Sequence, residues 1–266
     1  MRNLPIQIVS TRGEQDLFWK EGGGDNNLPK WATKETVTAH AGIMFQTFSV
    51  VEKQFDDRGD DALPVLMVAS LRENATSRKS IRANVRAVFD GRAKRNVLGK
   101  ESQKGLLVKV DSKIDLNAIR RRVDDISHGR ASKDRICGVA VIEDLKLFQP
   151  YVEEGLDGGT LKVQLANYHD EQFNAMSDER MRVYGLRNNL KIRKLDYSKQ
   201  LRLYAIDDAT PEVIAALTTM DAVISVKKMP FFELTVSPEP DNTRIVVKQP
   251  NPDESYPQVG ILDSGV

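Results

Sequence analysis

The stretch LRLYAIDDATPEVIAALTTMDAVISVKK, residues 201–228, predicts three consecutive structural elements. Residues 201–206 alternate apolar and β-prone side chains, which is typical of a strand. Thr210 followed by Pro211 indicates a helix start, because threonine caps free backbone N–H groups and proline fits the first helical position. After that helix, residues 222–228 form a further apolar strand.

The residues before this stretch extend the pattern. Residues 161–166 predict a strand, residues 172–187 a helix, and residues 190–195 a strand that forms a hairpin with residues 201–206. The order is strand, helix, strand, strand, helix, strand, which is the split βαβ signature of a ferredoxin-like domain. We therefore predict such a domain over residues 151–236.

An earlier segment shows a similar alternation of short apolar strands and amphipathic helices. The predicted strands are residues 63–71, 105–110 and 136–142, with a short extra strand near 96–98, and the predicted helices are residues 77–89 and one that opens at Asp115. Residues 106–110 also resemble residues 201–206, since each lies directly before a helix. We therefore predict an α+β fold with two tandem ferredoxin-like units.

The N-terminal region adds an arm and a helix to the first unit. Turn formers around the glycine triplet 22–24 predict a loop or extended arm over residues 1–30. Apolar residues then recur every three or four positions between Val37 and Phe55, which predicts an amphipathic helix over residues 34–56. This helix leads an α+β domain that we place at residues 31–150.

The C-terminal residues 237–266 predict a linker and the start of another domain. Prolines and polar residues dominate residues 237–257, which is typical of an extended connector. The sequence VGILDSGV, residues 259–266, then reads as a short buried strand that ends in Asp263 and a tight Ser-Gly turn. An aspartate at the carboxyl end of an apolar strand lies where α/β sheets place ligands and catalytic groups.

Residues 259–266 resemble the catalytic-aspartate motif of the subtilisin-like serine proteases, the subtilases. The triad of that family runs in the order Asp, His, Ser. The resemblance implies that Asp263 orients the catalytic histidine and stabilises its charged form. The sequence ends at Val266, so we expect a truncated α/β subtilase domain whose histidine and serine would follow, and a chain that is inactive by itself.

Two further segments resemble parts of subtilase proenzymes. Residues 210–217 and 221–226 are similar to the second helix and last strand of the ferredoxin-like prodomain that commonly precedes the catalytic domain. Residues 66–80 resemble a longer N-terminal region of some bacterial cytoplasmic subtilases, some of which are encoded beside an AAA-type ATPase. The implied partners are the chain's own catalytic domain, a polypeptide substrate and an AAA-type ATPase.

Composition limits the class of protein. The net charge of +1 over 266 residues argues against a dedicated nucleic-acid surface. No apolar run reaches the 18 or so residues of a membrane span, and the N-terminus has no apolar core of signal-peptide length. Cys137 is the only cysteine, so no internal disulfide can form. We therefore expect a cytoplasmic protein that binds neither nucleic acid nor membrane.

Asp263 is the candidate catalytic residue, and we predict no cofactor and no metal. The glycine triplet lacks the Lys-Ser/Thr of a phosphate loop, and no zinc site stands out among three histidines and one cysteine. We interpret Cys137 as a small buried residue of a strand, His40 as a packing or solvent residue, and His169 as a capping or surface residue. His128 precedes Asp263, which violates the family order.

We interpret the chain as the regulatory N-terminal and prodomain region of a subtilisin-like serine endopeptidase. Its expected role is to assist folding of the catalytic domain and to cover the active cleft. Two alternatives remain at this point. One is a freestanding protease inhibitor or chaperone of the same fold. The other is a binding module for a partner such as an ATPase, using the basic helix 77–89, although such a charged helix is more often a solvated face.

Overall fold

The computed structural model describes residues 29–58, 63–73, 79–91, 94–102, 104–198 and 201–230. These residues form an α+β structure with two β-sheets, as the sequence predicts. Both sheets belong to one compact unit, whose described residues run from 29 to 229. None of the described helices has the length and apolar character needed to cross a membrane.

The predicted leading helix is confirmed as α1, Lys34–Arg58. Its apolar stripe packs into the core of the first sheet, and the stripe's buried members are Val37, Ala41, Met44, Phe48, Val51 and Phe55. Spacings of three and four residues place these side chains on one face of the helix.

The first sheet is built from four antiparallel strands in the order β2-β3-β1-β4. In chain order its elements are β1 Val65–Leu71, α2 Lys79–Phe89, β2 Val97–Lys100, β3 Gly105–Val110, α3 Lys113–Ser127, α4 Lys133–Ala140 and β4 Ile142–Leu147. Alternate residues of β1 and β3 join the helices in one apolar cluster, so all four helices cover one face of this sheet.

The predicted strand over residues 136–142 is wrong. Helix α4 occupies most of that run, and β4 begins only at Ile142. A short apolar run carries no periodicity that separates a buried helix from a buried strand. Gly138 has no side chain, so helix α4 can pack closely against α2. A Cβ atom at this position would lie 2.3 Å from the Asn84 carbonyl oxygen.

The second sheet has the strand order β5-β9-β6-β8-β7. In chain order its elements are β5 Tyr151–Val152, β6 Gly159–Leu165, α5 Glu171–Arg187, β7 Ile192–Ser198, β8 Leu201–Ala209, α6 Pro211–Thr219 and β9 Val223–Lys228. The four longer strands are antiparallel to their neighbours, and the short β5 adds a parallel edge to β9. Every predicted element of residues 161–228 is present, and β5 is additional.

A third apolar cluster joins the two sheets. Leu66 and Leu107 lie on the face of the first sheet that α1–α4 leave uncovered, and they pack with Tyr168, Phe173 and neighbouring residues of the second half. Because this face would otherwise expose apolar side chains, its burial ties the two sheets together.

Helix α1 also closes one edge of the first sheet. The hydroxyl of Thr47 donates a hydrogen bond of 2.5 Å to the carbonyl oxygen of Leu145 in the edge strand β4. The helix therefore packs on the buried face of the sheet and also makes one contact with the backbone of its edge strand.

Candidate functional site

The candidate catalytic residue Asp263 lies outside the described residues, as does the whole segment 237–266 with its predicted connector and motif. The prediction that Asp263 holds a catalytic histidine therefore stays a prediction. The described residues contain no group of three or more His, Cys, Asp or Glu side chains arranged to hold a metal ion.

The three histidines lie apart from one another in the fold. His40 is half-buried on α1, with its Nδ1 atom 3.3 Å from the carbonyl oxygen of Val139. His128 is exposed and caps the C-terminus of α3. His169 is exposed in the left-handed region at φ 53°, while the neighbouring Asp170 accepts the capping hydrogen bonds of α5. His169 is thus a surface residue, and the capping role belongs to Asp170.

Cys137 is buried in helix α4 rather than in a strand. Burial raises the pKa of its thiol, with a smaller opposing effect of the Lys133 charge. A protonated, buried thiol is a poor nucleophile, so the predicted packing role is retained in a different element.

One face of the second sheet carries no described helix, although Ala205 and Ser225 on that face are buried. The residues Leu161, Val163 and Ile206 pack under α5 and α6 in one apolar cluster. Side chains alternate along a strand, so Lys162 and Ala205, which the register places opposite each other, lie on the other face. We call this surface the helix-free face.

One side of the helix-free face borders a cleft of about 910 Å³ between the two sheets. Both halves line the cleft with apolar and polar residues: Leu107 and Glu101 come from the first half, and Ile224 and Lys227 from the second. A cleft of mixed polarity is compatible with a polypeptide, which offers both kinds of surface.

A buried arginine holds helix α5 to the second sheet beneath this face. Arg202 of β8 is almost fully buried, and its guanidinium donates to the carbonyl oxygens of Ala166 (2.5 Å) and Asn174 (2.6 Å) and to the hydroxyl of Ser177 (2.8 Å). It also donates to the carboxylate of Asp178. With its hydrogen bonds satisfied, a buried arginine fixes the position of the helix on the sheet.

Asp178 is the acidic centre of this network. Burial on its own raises the pKa of Asp178, but hydrogen bonds from Lys194 and Tyr204 and the charge of Arg202 outweigh it, so the pKa lies below its usual value. The Nζ atom of Lys194 lies 2.9 Å from the carboxylate. These polar residues have structural partners, so we assign them to the scaffold rather than to chemistry.

The basic helix predicted over residues 77–89 is present as α2, which contains no acidic residue. Lys79 and Arg86 are exposed and make no ion pair within the described part of the chain, whereas Arg82 is half-buried and has a partner. This leaves a small cationic stripe on the surface of α2.

Sequence reasoning found neither the helix-free face nor the Arg202 network. A strand predicted from sequence has two known faces, but its neighbouring strands are unknown. The helix-free face and the Arg202 network both depend on how the strands and helices of the second half are arranged. The alternation in LKVQL, residues 161–165, was the available signal, because it separates a polar face from an apolar one.

Comparison with known proteins gives no relative: no family model, no curated protein and no solved structure matches this chain.

Proposed function

We propose that this chain is the N-terminal regulatory and prodomain region of a cytoplasmic subtilisin-like serine endopeptidase. The proposal includes the finer fold assignment, in which each sheet with its helices is a ferredoxin-like unit and the two units stand in tandem. The observation behind the proposal is the strand order of the second sheet, β9-β6-β8-β7, which is antiparallel, with α5 and α6 on one face and no helix of the described residues on the other. That arrangement directly precedes the connector and the motif around Asp263.

The order of elements supports the tandem assignment as well. The first sheet has the order β2-β3-β1-β4, which is the same connectivity read from the other edge. In each half, a helix follows the first strand and helical residues precede the last strand.

In this proposal, the prodomain lays its helix-free face on the catalytic domain, assists its folding and covers its active cleft until release. The cleft of mixed polarity beside this sheet face supports a protein partner. Asp263 would hydrogen-bond the catalytic histidine and stabilise the imidazolium as the serine gives up its proton.

The test uses the complete open reading frame and a matched pair of substitutions. Asp263→Asn is expected to lower kcat by about 10⁴-fold, because the histidine loses its orienting carboxylate. Asp253→Asn, ten residues earlier in the connector, is the control and should retain full activity. The 266-residue chain alone should hydrolyse nothing and should inhibit the separate catalytic region when added in trans. Full activity of the Asp263→Asn protein, or a reading frame without a downstream His and Ser motif, would refute the proposal.

A second candidate function is a binding module for an AAA-type ATPase. It is favoured by the cationic stripe of α2, where Lys79 and Arg86 lack ion-pair partners among the described residues. Reversing the charge of both residues should abolish capture of the ATPase, whereas reversing two lysines elsewhere on the surface should not. If the protein with the reversed charges still captures the ATPase, the cationic stripe is a solvent-exposed surface and not the binding site.

A further inference from the structure

The second half covers only part of the first-sheet face that α1–α4 leave uncovered. Leu66 is buried there, but Val68, two residues further along β1, and Phe148, just after β4, are only half-buried. Both side chains line a hollow of about 560 Å³, which we call the groove. Val50 of α1 also lines it and is one of the few large apolar side chains left exposed among the described residues. A contiguous apolar patch of this kind is typical of a surface that another segment covers.

Positive charge borders the groove. Of the described residues that line it, Lys104 and Lys146 are basic and only Glu101 is acidic. Lys146 lies 3.3 Å from Asp144, whereas Lys104 makes no ion pair within the described residues. Lys100, which also makes none there, lines the adjoining cleft. A segment that fits the groove should therefore combine apolar side chains with carboxylates.

The chain's own N-terminal arm contains such a segment. Residues 14–25, EQDLFWKEGGGD, carry four acidic residues and one lysine, and they include the apolar run Leu17, Phe18 and Trp19. Their net charge of −3 is opposite to that of the lysines around the groove. Large aromatic side chains contribute much of the energy where an extended segment docks. Residues 1–28 themselves lie outside the described residues.

The point where the arm joins the described residues lies near one end of the groove. The guanidinium of Arg72, just after β1, lies 5.8 Å from the centre of the Trp31 ring. Ser70, two residues or about 7 Å before Arg72, lines the groove. The nine residues 20–28 can span about 30 Å when extended, which is enough to bring residues 14–19 to the groove.

We infer that the groove binds the arm of the same chain, with the aromatic side chains of residues 14–21 on Val68 and Phe148 and their carboxylates beside Lys100 and Lys104. The arm would then cover the part of the first sheet that the second half leaves open, and any protein that binds the groove would have to displace it. This contact does not depend on the proposed function, because it lies within the chain.

The test follows the fluorescence of Trp19 in the 266-residue chain with Trp31→Phe, which removes the only other tryptophan. Val50→Glu places a charge in the groove. Its matched control is Ile114→Glu, the same kind of change at an exposed residue of α3 that does not line the groove.

A second pair of variants tests the charges. Lys104→Glu reverses a charge in the groove, and Lys53→Glu makes the same change at an exposed residue of α1 that does not line it. The substituted residues of both pairs are exposed, so each variant should keep the fold, and thermal melting checks this. Acrylamide is the quencher because it is uncharged and therefore insensitive to the charge reversals.

Acrylamide should quench Trp19 about threefold less in the folded chain than in the urea-unfolded chain, because the docked ring is removed from water. Val50→Glu and Lys104→Glu should raise quenching towards the unfolded level, as should added salt, whereas the two control variants should leave it unchanged.

Three results would overturn the inference. If Trp19 is as accessible in the folded chain as in urea, the arm does not dock and the groove is left to a separate partner. If Trp19 stays protected in both Val50→Glu and Lys104→Glu, the arm docks elsewhere. If the protection falls on dilution of the protein, the arm binds a second copy of the chain. None of these results bears on the proposed function, since no protease activity is measured.

Discussion

The guanidinium of Arg58 and the carboxylate of Asp221 form an ion pair of 2.8 Å between the last residue of α1 and the turn that precedes β9. Asp221 also accepts a hydrogen bond of 3.1 Å from Arg180 of α5. One carboxylate therefore links the leading helix, which belongs to the first sheet, to two elements of the second. This half-buried pair is a specific contact between the two halves.

Removing this pair should weaken the coupling of the two halves. In a double-mutant cycle of Arg58→Met and Asp221→Asn, we expect a coupling energy of about 0.5–1 kcal/mol, because the pair is partly shielded from water. The exposed pair Lys146 and Asp144 is the control and should give a value near zero. Urea unfolding of the four proteins measures each energy, and equal values for the two pairs would contradict the prediction.

The acid sensitivity of the fold should depend on Asp178. Its pKa is lower in the folded chain than in the unfolded chain, so its ionised form contributes stability at every pH above the unfolded value of about 4. That contribution is lost as the pH falls through the folded pKa. The unmodified chain should therefore have a higher free energy of unfolding than Asp178→Asn. This difference should be largest above pH ~5 and should decrease towards pH ~2.

Asp157→Asn is the control for this pH series, since Asp157 is exposed and has no partner among the described residues. Its free energy of unfolding should run parallel to that of the unmodified chain across the same range. If the difference in free energy of unfolding between the unmodified chain and Asp178→Asn stays constant with pH, the Asp178 side chain stabilises the fold through its shape and not through its charge.

Two buried tyrosines should respond in opposite ways to loss of the hydroxyl group. The hydroxyl of Tyr168 is buried and has no hydrogen-bond partner in the described part of the chain, whereas that of Tyr204 bonds to Asp178. Burial is the main cause that raises the pKa of both. Tyr168→Phe should therefore leave the stability unchanged or raise it, and Tyr204→Phe should lower it by about 1 kcal/mol.

Thermal and urea unfolding of the two variants give the comparison directly. The two substitutions remove the same atom, so the hydrophobic change is matched. A loss of stability in Tyr168→Phe as large as that in Tyr204→Phe would mean that the Tyr168 hydroxyl has a partner after all, such as a buried water.

Two helical glycines provide a second matched pair. A methyl group at Gly138 would lie 2.3 Å from a backbone oxygen of α2, whereas one at Gly42 of α1 would meet nothing within 4 Å. Gly138→Ala should cost about 3 kcal/mol through overpacking, and Gly42→Ala should gain about 0.5–1 kcal/mol through helix propensity. Urea unfolding of the two variants measures both, and a neutral Gly138→Ala would show that α2 and α4 can separate at little cost.

The sequence predicted most elements because their patterns are local. The apolar stripe of α1, the Thr210-Pro211 start of α6 and the strands of the second sheet all follow from spacing within one segment. Thr210 does occupy the N-cap position, although its side chain makes no capping hydrogen bond to the backbone there.

The prediction fails where contacts between residues far apart in the sequence determine the structure. Most of helix α4 was predicted as a strand because the proximity of Gly138 to α2 cannot be inferred from the seven residues 136–142. The groove, the Arg202 network and the junction around Tyr168 depend on strand register and on the placement of α1 and α5, which no local pattern specifies. Asp263, the candidate found by motif alone, lies outside the described residues and stays a prediction.

The hydrogen bond from Thr47 to Leu145 has a consequence for solubility during synthesis. β4 is an edge strand, and an uncovered edge offers backbone groups to any other extended chain. Helix α1 is synthesised before β4, so it can contact the edge strand as soon as that strand forms. We expect this order to limit self-association through the β4 edge.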